Sequence, residues 1–263
     1  MDRVIVGFDG SDASAAALTW AGAEARLYGA KLHVVTVVEI RTPVVNTEDL
    51  HERLRPAIDR ATAGLAAAHH IEHGGVAEHL VHACGSTDLL VVGSHGYGPI
   101  AERLLGSVSH ACLGAARCAV VVVREEPVQT HGVVLVGVDG SAASRHALTV
   151  AADEARLRGA ALHAIHTVHW DHLGAEWATP SLDDLVDWGE HLMRKELDET
   201  GVAAEPEVIH GHPADILTER SREADLLVVG ATGHTALAKL LVGSTADHCA
   251  RHAHCPTMIV HPR

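Results

Sequence analysis

The feature that most constrains this chain is that it repeats itself. Residues 4–11 read VIVGFDGS, and residues 134–141 read VLVGVDGS. The hexapeptide DLLVVG occurs at 88–93 and again at 225–230. Matching segments at matching places in two halves are the sequence signature of duplicated structural units. The chain is therefore predicted to fold as two copies of one domain.

The join between the copies marks the domain boundaries. The chain has 263 residues, which is enough for two modest domains. Residues 124–132, REEPVQTHG, are short and polar and contain Pro127, as is typical of a linker. We therefore place the first domain at residues 1–124 and the second at residues 132–263.

Each half alternates short apolar runs with longer segments of helical spacing. Strands are predicted at Val4–Phe8, Leu32–Val38, 68–73, Leu89–Val92 and Ala119–Val123, and near 133–138, 162–168, 207–210, 226–229 and 257–261. Helices are predicted at Ala13–Tyr28, Glu48–Ala67, Val76–Cys84 and Ser107–Ala116, and near 143–158, 182–200, 213–223 and 244–253. This strict alternation predicts an α/β fold class with two doubly wound five-stranded parallel sheets, Rossmann-like or flavodoxin-like.

Composition agrees with buried parallel sheets and limits the classes of partner that we expect the protein to bind. Hydrophobic residues make up 47% of the chain but aromatic residues only 3%, so the core must consist of Val, Leu, Ile and Ala. The net charge of −14 repels nucleic acids and anionic lipids, so we expect no nucleic-acid and no membrane partner. No apolar run approaches the ~18 residues that span a bilayer. The five cysteines form no C-x-x-C pair, which favours reduced thiols and a cytoplasmic protein.

The 23 histidines leave two interpretations open. They serve either as ordinary polar surface residues, which their scatter favours, or in pH sensing or metal binding. The best metal candidate is the segment 248–255, HCARHAHC, whose spacing suits zinc. The first copy repeats its cysteines, as Cys112 and Cys118, but not its histidines. That difference favours a structural role for the segment.

A glycine-rich motif follows the fourth predicted strand of each copy. In the first copy, Gly93 and Gly96 are followed by nine residues and then by Gly106 and Ser107. The second copy repeats this G-x2-G-x9-G-S pattern with Gly230, Gly233, Gly243 and Ser244. Glycine lets the backbone turn sharply and approach a ligand, and a helix that starts after the last glycine favours an anion at its N-terminus. The serine hydroxyl caps that helix or bonds a phosphate oxygen.

An aspartate at the end of the first strand of each copy completes the candidate site. Asp9 and Asp139 each precede Gly-Ser. In a doubly wound sheet of flavodoxin-like type, strands one and four flank the crevice where ligands bind. We therefore expect Asp9 to face the first glycine motif and Asp139 to face the second. Either feature alone is common in turns and helix caps, but both occur together, twice, at the same spacing.

The combination of Val-Gly-x-Asp-Gly-Ser with G-x2-G-x9-G-[ST] resembles the tandem universal stress proteins of the ATP-binding type, over residues 2–262. The long glycine motif is the one that separates ATP-binding members from the others. The resemblance implies an adenine nucleotide alpha hydrolase-like fold. It also implies an intramolecular pseudo-dimer that pairs the fifth strands, Ala119–Val123 and Thr257–His261. The resemblance leaves open whether the tandem chain forms a homodimer and whether it binds an unidentified protein partner.

The resemblance further implies ATP, alone or with Mg²⁺, as the ligand. It places Asp9 and Asp139 beside the adenine and ribose, and it assigns adenine contacts to the backbone near Val37 and Thr167. The implied phosphate and ribose contacts are Gly93, Gly96, Gly106 and Ser107, with Val108 adjoining, and their counterparts Gly230, Gly233, Gly243, Ser244 and Thr245.

The chain departs from the family pattern beside the phosphates. His95 and Thr232 stand where many relatives have arginine just before the second motif glycine. The departure removes a fixed positive charge, which a protonated His95 would partly restore. Arg103 lies inside the first motif, but Leu240 holds the matching place in the second. The sequence therefore favours the first site for ATP.

Other nucleotide chemistries lack their motifs. The sequence has no Gly-Lys-[Ser/Thr] phosphate loop, no G-x-G-x-x-G after either first strand and no G-x-S-x-G nucleophile turn. Phosphoryl transfer also needs a positioned base and added positive charge, and no such set recurs in both copies. The leading hypothesis is an ATP-binding regulatory module of the stress response, whose occupancy controls conformation or partners. The alternatives are an ATP-using enzyme of related fold (a slow ATPase, an autophosphorylating protein or a nucleotidyltransferase) and a His/Cys metal protein.

Overall fold

The structure is a computed structural model that divides the chain into two compact units, Met1–Val128 and Gln129–Arg263. The residues that it describes are 1–39, 46–96, 105–124, 129–169, 181–233 and 242–262. Arg103, Leu240 and Pro127 of the linker lie outside these residues. No helix in the described part of the chain is long and apolar enough to cross a membrane.

The first unit alternates strands and helices from its first residues onward. Its described strands are β1 (Arg3–Gly7), β2 (Lys31–Val38), β3 (Ala67–His73), β4 (Leu89–Gly93) and β5 (Ala119–Val123). Its described helices are α1 (Asp12–Tyr28), α2 (Thr47–Ala61), α3 (Val76–Ala83) and α4 (Ser107–Ala115). All the strands are parallel, in the order β3-β2-β1-β4-β5.

The second unit repeats this architecture. Its described strands are β6 (Val133–Gly137), β7 (Ala161–Val168), β8 (Glu205–His210), β9 (Leu226–Gly230) and β10 (Thr257–Val260). Its described helices are α5 (Ala142–Arg158), α6 (Leu182–Thr200), α7 (Pro213–Arg220) and α8 (Ser244–His252), and a 3₁₀ turn, Ser221–Glu223, extends α7. The strands are again parallel, in the order β8-β7-β6-β9-β10. The predicted fold class of two five-stranded parallel sheets is confirmed.

The strand order creates a switch point in each sheet. From β1 the chain winds to β2 and β3 on one side and then crosses to β4 and β5 on the other. This is the Rossmann half order and not the 2-1-3-4-5 order of flavodoxin. The carboxyl ends of β1 and β4, and of β6 and β9, therefore flank the crevice, as the sequence predicted for strands one and four.

Sequence signals fix the helix that follows each first strand. The Ser11 hydroxyl accepts a hydrogen bond from the Ser14 amide at the start of α1, and Gly29 ends the helix with a left-handed φ of 61°. Ser141 and Gly159 do the same for α5. Serine N-caps and glycine C-caps satisfy the amides and carbonyls that a helix end leaves free. Each first helix consequently starts beside the crevice.

The predicted C-terminal end of the second helix was wrong. The prediction ran over Glu48–Ala67, but α2 ends at Ala61. The Thr62 hydroxyl donates a hydrogen bond to the Ile58 carbonyl oxygen at 2.8 Å, and Gly64 takes a left-handed φ of 75°. The chain is thus turned back toward β3 within a few residues.

Candidate functional site

A tight turn places each aspartate at the carboxyl edge of the sheet. Asp9 Oδ1 accepts hydrogen bonds from the Ser11 amide at 2.9 Å and from the Ser11 hydroxyl at 2.6 Å. Gly10 makes the turn possible with a φ of 90°, which side chains rarely adopt. In the second unit, Asp139 Oδ1 accepts from the Ser141 amide at the same 2.9 Å. Since Oδ1 of each aspartate accepts the hydrogen bonds within the turn, Oδ2 is the carboxylate oxygen that faces away from the turn.

In both units Oδ2 points at the second glycine of the motif. A Cβ atom added to Gly96 would lie 2.6 Å from Asp9 Oδ2, and one added to Gly233 would lie 2.7 Å from Asp139 Oδ2. Real Cβ atoms do not approach a carboxylate oxygen so closely. A side chain at either glycine would therefore displace the aspartate carboxylate, and the structure brings each aspartate to its own motif, as the sequence predicted.

The two ends of each motif meet through one backbone hydrogen bond. We call the segments Gly93–Gly106 and Gly230–Gly243 the glycine loops. The Gly106 amide donates to the Ser94 carbonyl oxygen at 2.7 Å, and the Gly243 amide donates to the Ala231 carbonyl oxygen at 2.7 Å. The last glycine is thereby held next to the strand that the loop has just left.

Each glycine loop ends in a helix start that no side chain of the described residues caps. Gly106 and Gly243 are the N-cap residues of α4 and α8, and neither helix has a side-chain cap hydrogen bond. The serines that follow, Ser107 and Ser244, are exposed. The first amides of a helix lack intrahelical partners and carry partial positive charge. This arrangement suits a phosphate or another anion beside Asp9 and Asp139.

The second unit holds a cavity of about 690 Å³ at this edge. A cavity of this volume is within the range of small-molecule sites. It is lined by all seven residues that the sequence selected in this half: Asp139, Thr167, Gly230, Gly233, Gly243, Ser244 and Thr245.

The cavity also contains residues that the sequence analysis did not select. Its walls include Trp188 of α6 and three histidines, His166 and His169 from the end of β7 and His212 from the start of α7. The first unit has different residues at the matching strand and cap positions, namely Thr36, Glu39 and Gly75. An alignment of the two halves element by element would have revealed this difference.

The charges around the cavity are unusual for an anion site. Its described lining residues include Asp139 and Asp184 but no lysine or arginine. Hydrogen bonds from Ser181 lower the pKa of Asp184, so this carboxyl group stays ionised. Burial lowers the pKa of His166, so its imidazole stays neutral. Among the described residues, the backbone amides at the start of α8 are a source of positive potential for an anion.

The first unit places its predicted residues in the same arrangement. Val37 is half-buried near the end of β2, and Val108 is half-buried in the first turn of α4. His95 Nδ1 lies 2.9 Å from the Ser94 hydroxyl oxygen. Loop residues 97–104 are outside the described part of the chain.

The two cysteines of the alternative metal segment, Cys249 and Cys255, are buried. Burial raises the pKa of both thiols to about 12. Across the described ranges, no three His, Cys, Asp or Glu side chains converge in a way that could hold a metal ion.

Comparisons with known proteins agree with this architecture. The model of the universal stress protein family matches twice, at residues 1–124 and 131–261. The chain is 33% identical to a universal stress protein of Mycolicibacterium smegmatis, over 99% of this chain and 97% of that protein. It is 34% identical to one of Mycobacterium tuberculosis, over 97% and 95% of the two chains.

Solved structures show the same fold. A universal stress protein from Archaeoglobus fulgidus superposes with a TM-score of 0.74 at 20% identity, over 99% of this chain and 98% of that one. Two family matches in tandem and full-length relatives above 30% identity define the class. This chain belongs to the universal stress protein family.

Proposed function

We propose that each domain binds an adenine nucleotide, ATP with or without Mg²⁺, at its glycine loop. Occupancy then regulates the conformation or the protein partners of the chain in the stress response. One observation carries the proposal: the 690 Å³ cavity of the second unit is lined by Asp139, by Thr167 and by the glycine-loop residues. Such a cavity has apolar walls for a base at one end and bare backbone for phosphates at the other.

The phosphate end is the more specific support. Gly230, Gly233 and Gly243 all line the cavity, and Gly243 is the N-cap residue of α8, so the first amides of this helix lie at the cavity. Backbone amides bind phosphate without a basic side chain. Mg²⁺ would offset the charge of the triphosphate, since acidic residues and not basic ones line the described cavity.

A pair of matched variants tests the proposal. Gly106→Asp and Gly243→Asp each put a carboxylate at a helix N-cap, where aspartate is among the preferred residues, so the fold should survive. A Cβ at Gly243 meets nothing closer than 3.4 Å. The new carboxylate would occupy the position of the phosphates and repel them. We expect wild-type protein to bind two ATP per chain by calorimetry, each variant one and the double variant none.

The control is Ala111→Asp, which adds the same charge to an exposed position of α4 away from its N-terminus. It should bind as wild type does. Nucleotide-free wild-type protein that fails to bind ATP, or variants that keep two sites, would refute the proposal. Turnover above ~1 s⁻¹ would instead favour an ATP-using enzyme.

A further inference from the structure

One imidazole in the second unit is buried with half of its hydrogen-bonding capacity unused. His166 lies in β7 with 5% of its surface exposed, and it lines the cavity. Its Nδ1 is 2.8 Å from the Val138 carbonyl oxygen. Its Nε2 is buried, and the described residues offer it no hydrogen-bond partner. Leaving a buried polar atom unpaired destabilises the folded state, so the arrangement calls for an explanation.

The role of each ring nitrogen follows from the hydrogen bond. A carbonyl oxygen only accepts, so Nδ1 must carry the proton that it donates to Val138. In a neutral imidazole the other nitrogen then holds a lone pair. Burial lowers the pKa of His166 and keeps the ring neutral. Nε2 is therefore a hydrogen-bond acceptor on a side chain that lines the cavity.

The surrounding residues have changed in step with His166. The matching residue in the first unit is Thr36, whose hydroxyl donates a hydrogen bond to the Phe8 carbonyl oxygen at 2.7 Å. This bond is the counterpart of the one that His166 Nδ1 donates to Val138. The histidine keeps the hydrogen bond to this carbonyl oxygen and adds a ring nitrogen that has no partner among the described residues. Gly189 makes room for it, because a Cβ there would lie 3.0 Å from His166 Cδ2. The residue at the same distance from the helix N-cap in α2 is the buried Leu54.

An aromatic wall lies next to this acceptor. Trp188, which precedes Gly189, lines the cavity and has 59% of its surface exposed. Its ring centroid is 5.9 Å from that of His166, with the planes tilted by 59°. The matching residue of α2 is Arg53. A flat apolar ring with an acceptor at its side suits a heteroaromatic base that carries an N–H donor on its edge.

We propose that His166 is a specificity-determining residue of the second site, where its Nε2 accepts a hydrogen bond from the 6-amino group of a purine nucleotide. The inference rests on the proposed function and goes beyond it by naming the group that is recognised. It also distinguishes the two sites: the second reads the amino group through a side chain that the first does not possess.

The test compares ATP with purine riboside 5′-triphosphate, which lacks only the 6-amino group. Affinities are measured by calorimetry in the Gly106→Asp chain, so that only the second site reports. We expect this chain to prefer ATP by about tenfold or more. His166→Thr, which installs the residue of the first unit, should reduce that preference by about five- to tenfold and leave the affinity for purine riboside triphosphate nearly unchanged. His166→Asn, which keeps an acceptor, should retain part of the preference.

The control is His163→Thr. His163 lies on the same strand but faces Glu205 outside the cavity, so this variant should leave the preference unchanged. A preference that stays the same in His166→Thr would overturn the inference while leaving nucleotide binding intact. An equal loss for both nucleotides would also overturn it, because the imidazole would then contact a part that both share. Absence of ATP binding by the Gly106→Asp chain would instead refute the proposed function at this site, and the inference with it.

Discussion

Two glycines of the same loop differ in what surrounds them. A Cβ on Gly93 would lie 2.8 Å from the carbonyl carbon and oxygen of Ala13, and a Cβ on Gly230 would lie 2.8 Å from the carbonyl carbon of Ala143. Backbone atoms of a helix cannot move aside as the end of a side chain can. The first glycine of each loop therefore serves the packing of a strand against the helix that follows the first strand, whereas a Cβ on the last glycine would meet nothing closer than 3.3 Å among the described residues.

This difference predicts that a substitution at the first glycine of the motif lowers the stability of the domain. Gly93→Ala should destabilise the first domain by about 1–3 kcal/mol, because the new methyl group overlaps the backbone of α1. Denaturant unfolding measures the change. Gly75→Ser is the control, since its Cβ meets nothing closer than 3.5 Å and serine is a preferred residue at this N-cap position. Equal stability of the two variants would contradict this account of Gly93.

At the scale of elements, the imidazole of His69 links the edge strand β3 of the first sheet to β2 and, through His51, to α2. His69 of β3 lies 3.0 Å from the Thr36 hydroxyl oxygen of β2 through its Nε2 and 3.0 Å from His51 Nδ1 of α2 through its Nδ1. Burial, with a smaller contribution from His51, lowers the pKa of His69 from 6.5 to about 4. The contact among these three elements therefore requires a neutral His69.

The stability of the first domain should consequently depend on pH in a defined window. Between about pH 6.5 and pH 4 the unfolded chain binds a proton at His69 that the folded chain does not, so the stability falls as the pH falls. This contribution is fully present above pH 6.5 and does not fall further below pH 4. Hydrogen exchange of β2 and β3 between pH 7 and pH 4, corrected for the intrinsic pH dependence of exchange, would measure it.

A substitution on the same strand separates His69 from the other titrating groups. His69→Gln should reduce the loss of stability on acidification, while His73→Gln, at an exposed position of β3, should leave it as in the wild type. The same pH response in His69→Gln as in the wild type would mean that other groups cause the loss.

The sequence predicted those elements whose start and end signals are local. The helix that follows each first strand was found within a residue or two because Ser11, Gly29, Ser141 and Gly159 cap it. The predicted end of α2 was wrong although Gly64 is a local stop signal, because the alanines on both sides of it favour a helix. A tertiary contact also helps to end α2, because Arg26 of α1 donates hydrogen bonds to the carbonyl oxygens of Ala61 and Ala63.

The residues of the candidate site likewise fall into two groups, those that the sequence could predict and those that it could not. The glycines and aspartates stand in a motif whose spacing is visible in one dimension. His166 and Gly189 are 23 positions apart and come together only when α6 packs on β7. Their relation could not be predicted from the spacing of a motif, because it depends on packing between two elements that a variable segment connects.

At the scale of the whole molecule, the net charge of −14 opposes an anionic ligand. Raising the ionic strength from about 0.01 M to about 0.15 M shortens the Debye length from about 30 Å to about 8 Å and screens this repulsion. We therefore expect ATP affinity to stay constant or increase with added NaCl at fixed Mg²⁺, in calorimetric titrations. A steep decrease would indicate a cluster of basic side chains at the phosphates.

The hydrogen bond that closes each glycine loop has a consequence for how these domains can diverge. Because the amide of Gly106 donates to the carbonyl oxygen of Ser94, the two ends of the loop meet at nearly one point. The nine residues between Gly96 and Gly106 read YGPIAERLL, and their counterparts read HTALAKLLV. The sequence of this segment can therefore change while the backbone hydrogen bond that closes the loop is kept. The two copies of the domain are thus able to diverge at this segment independently of each other.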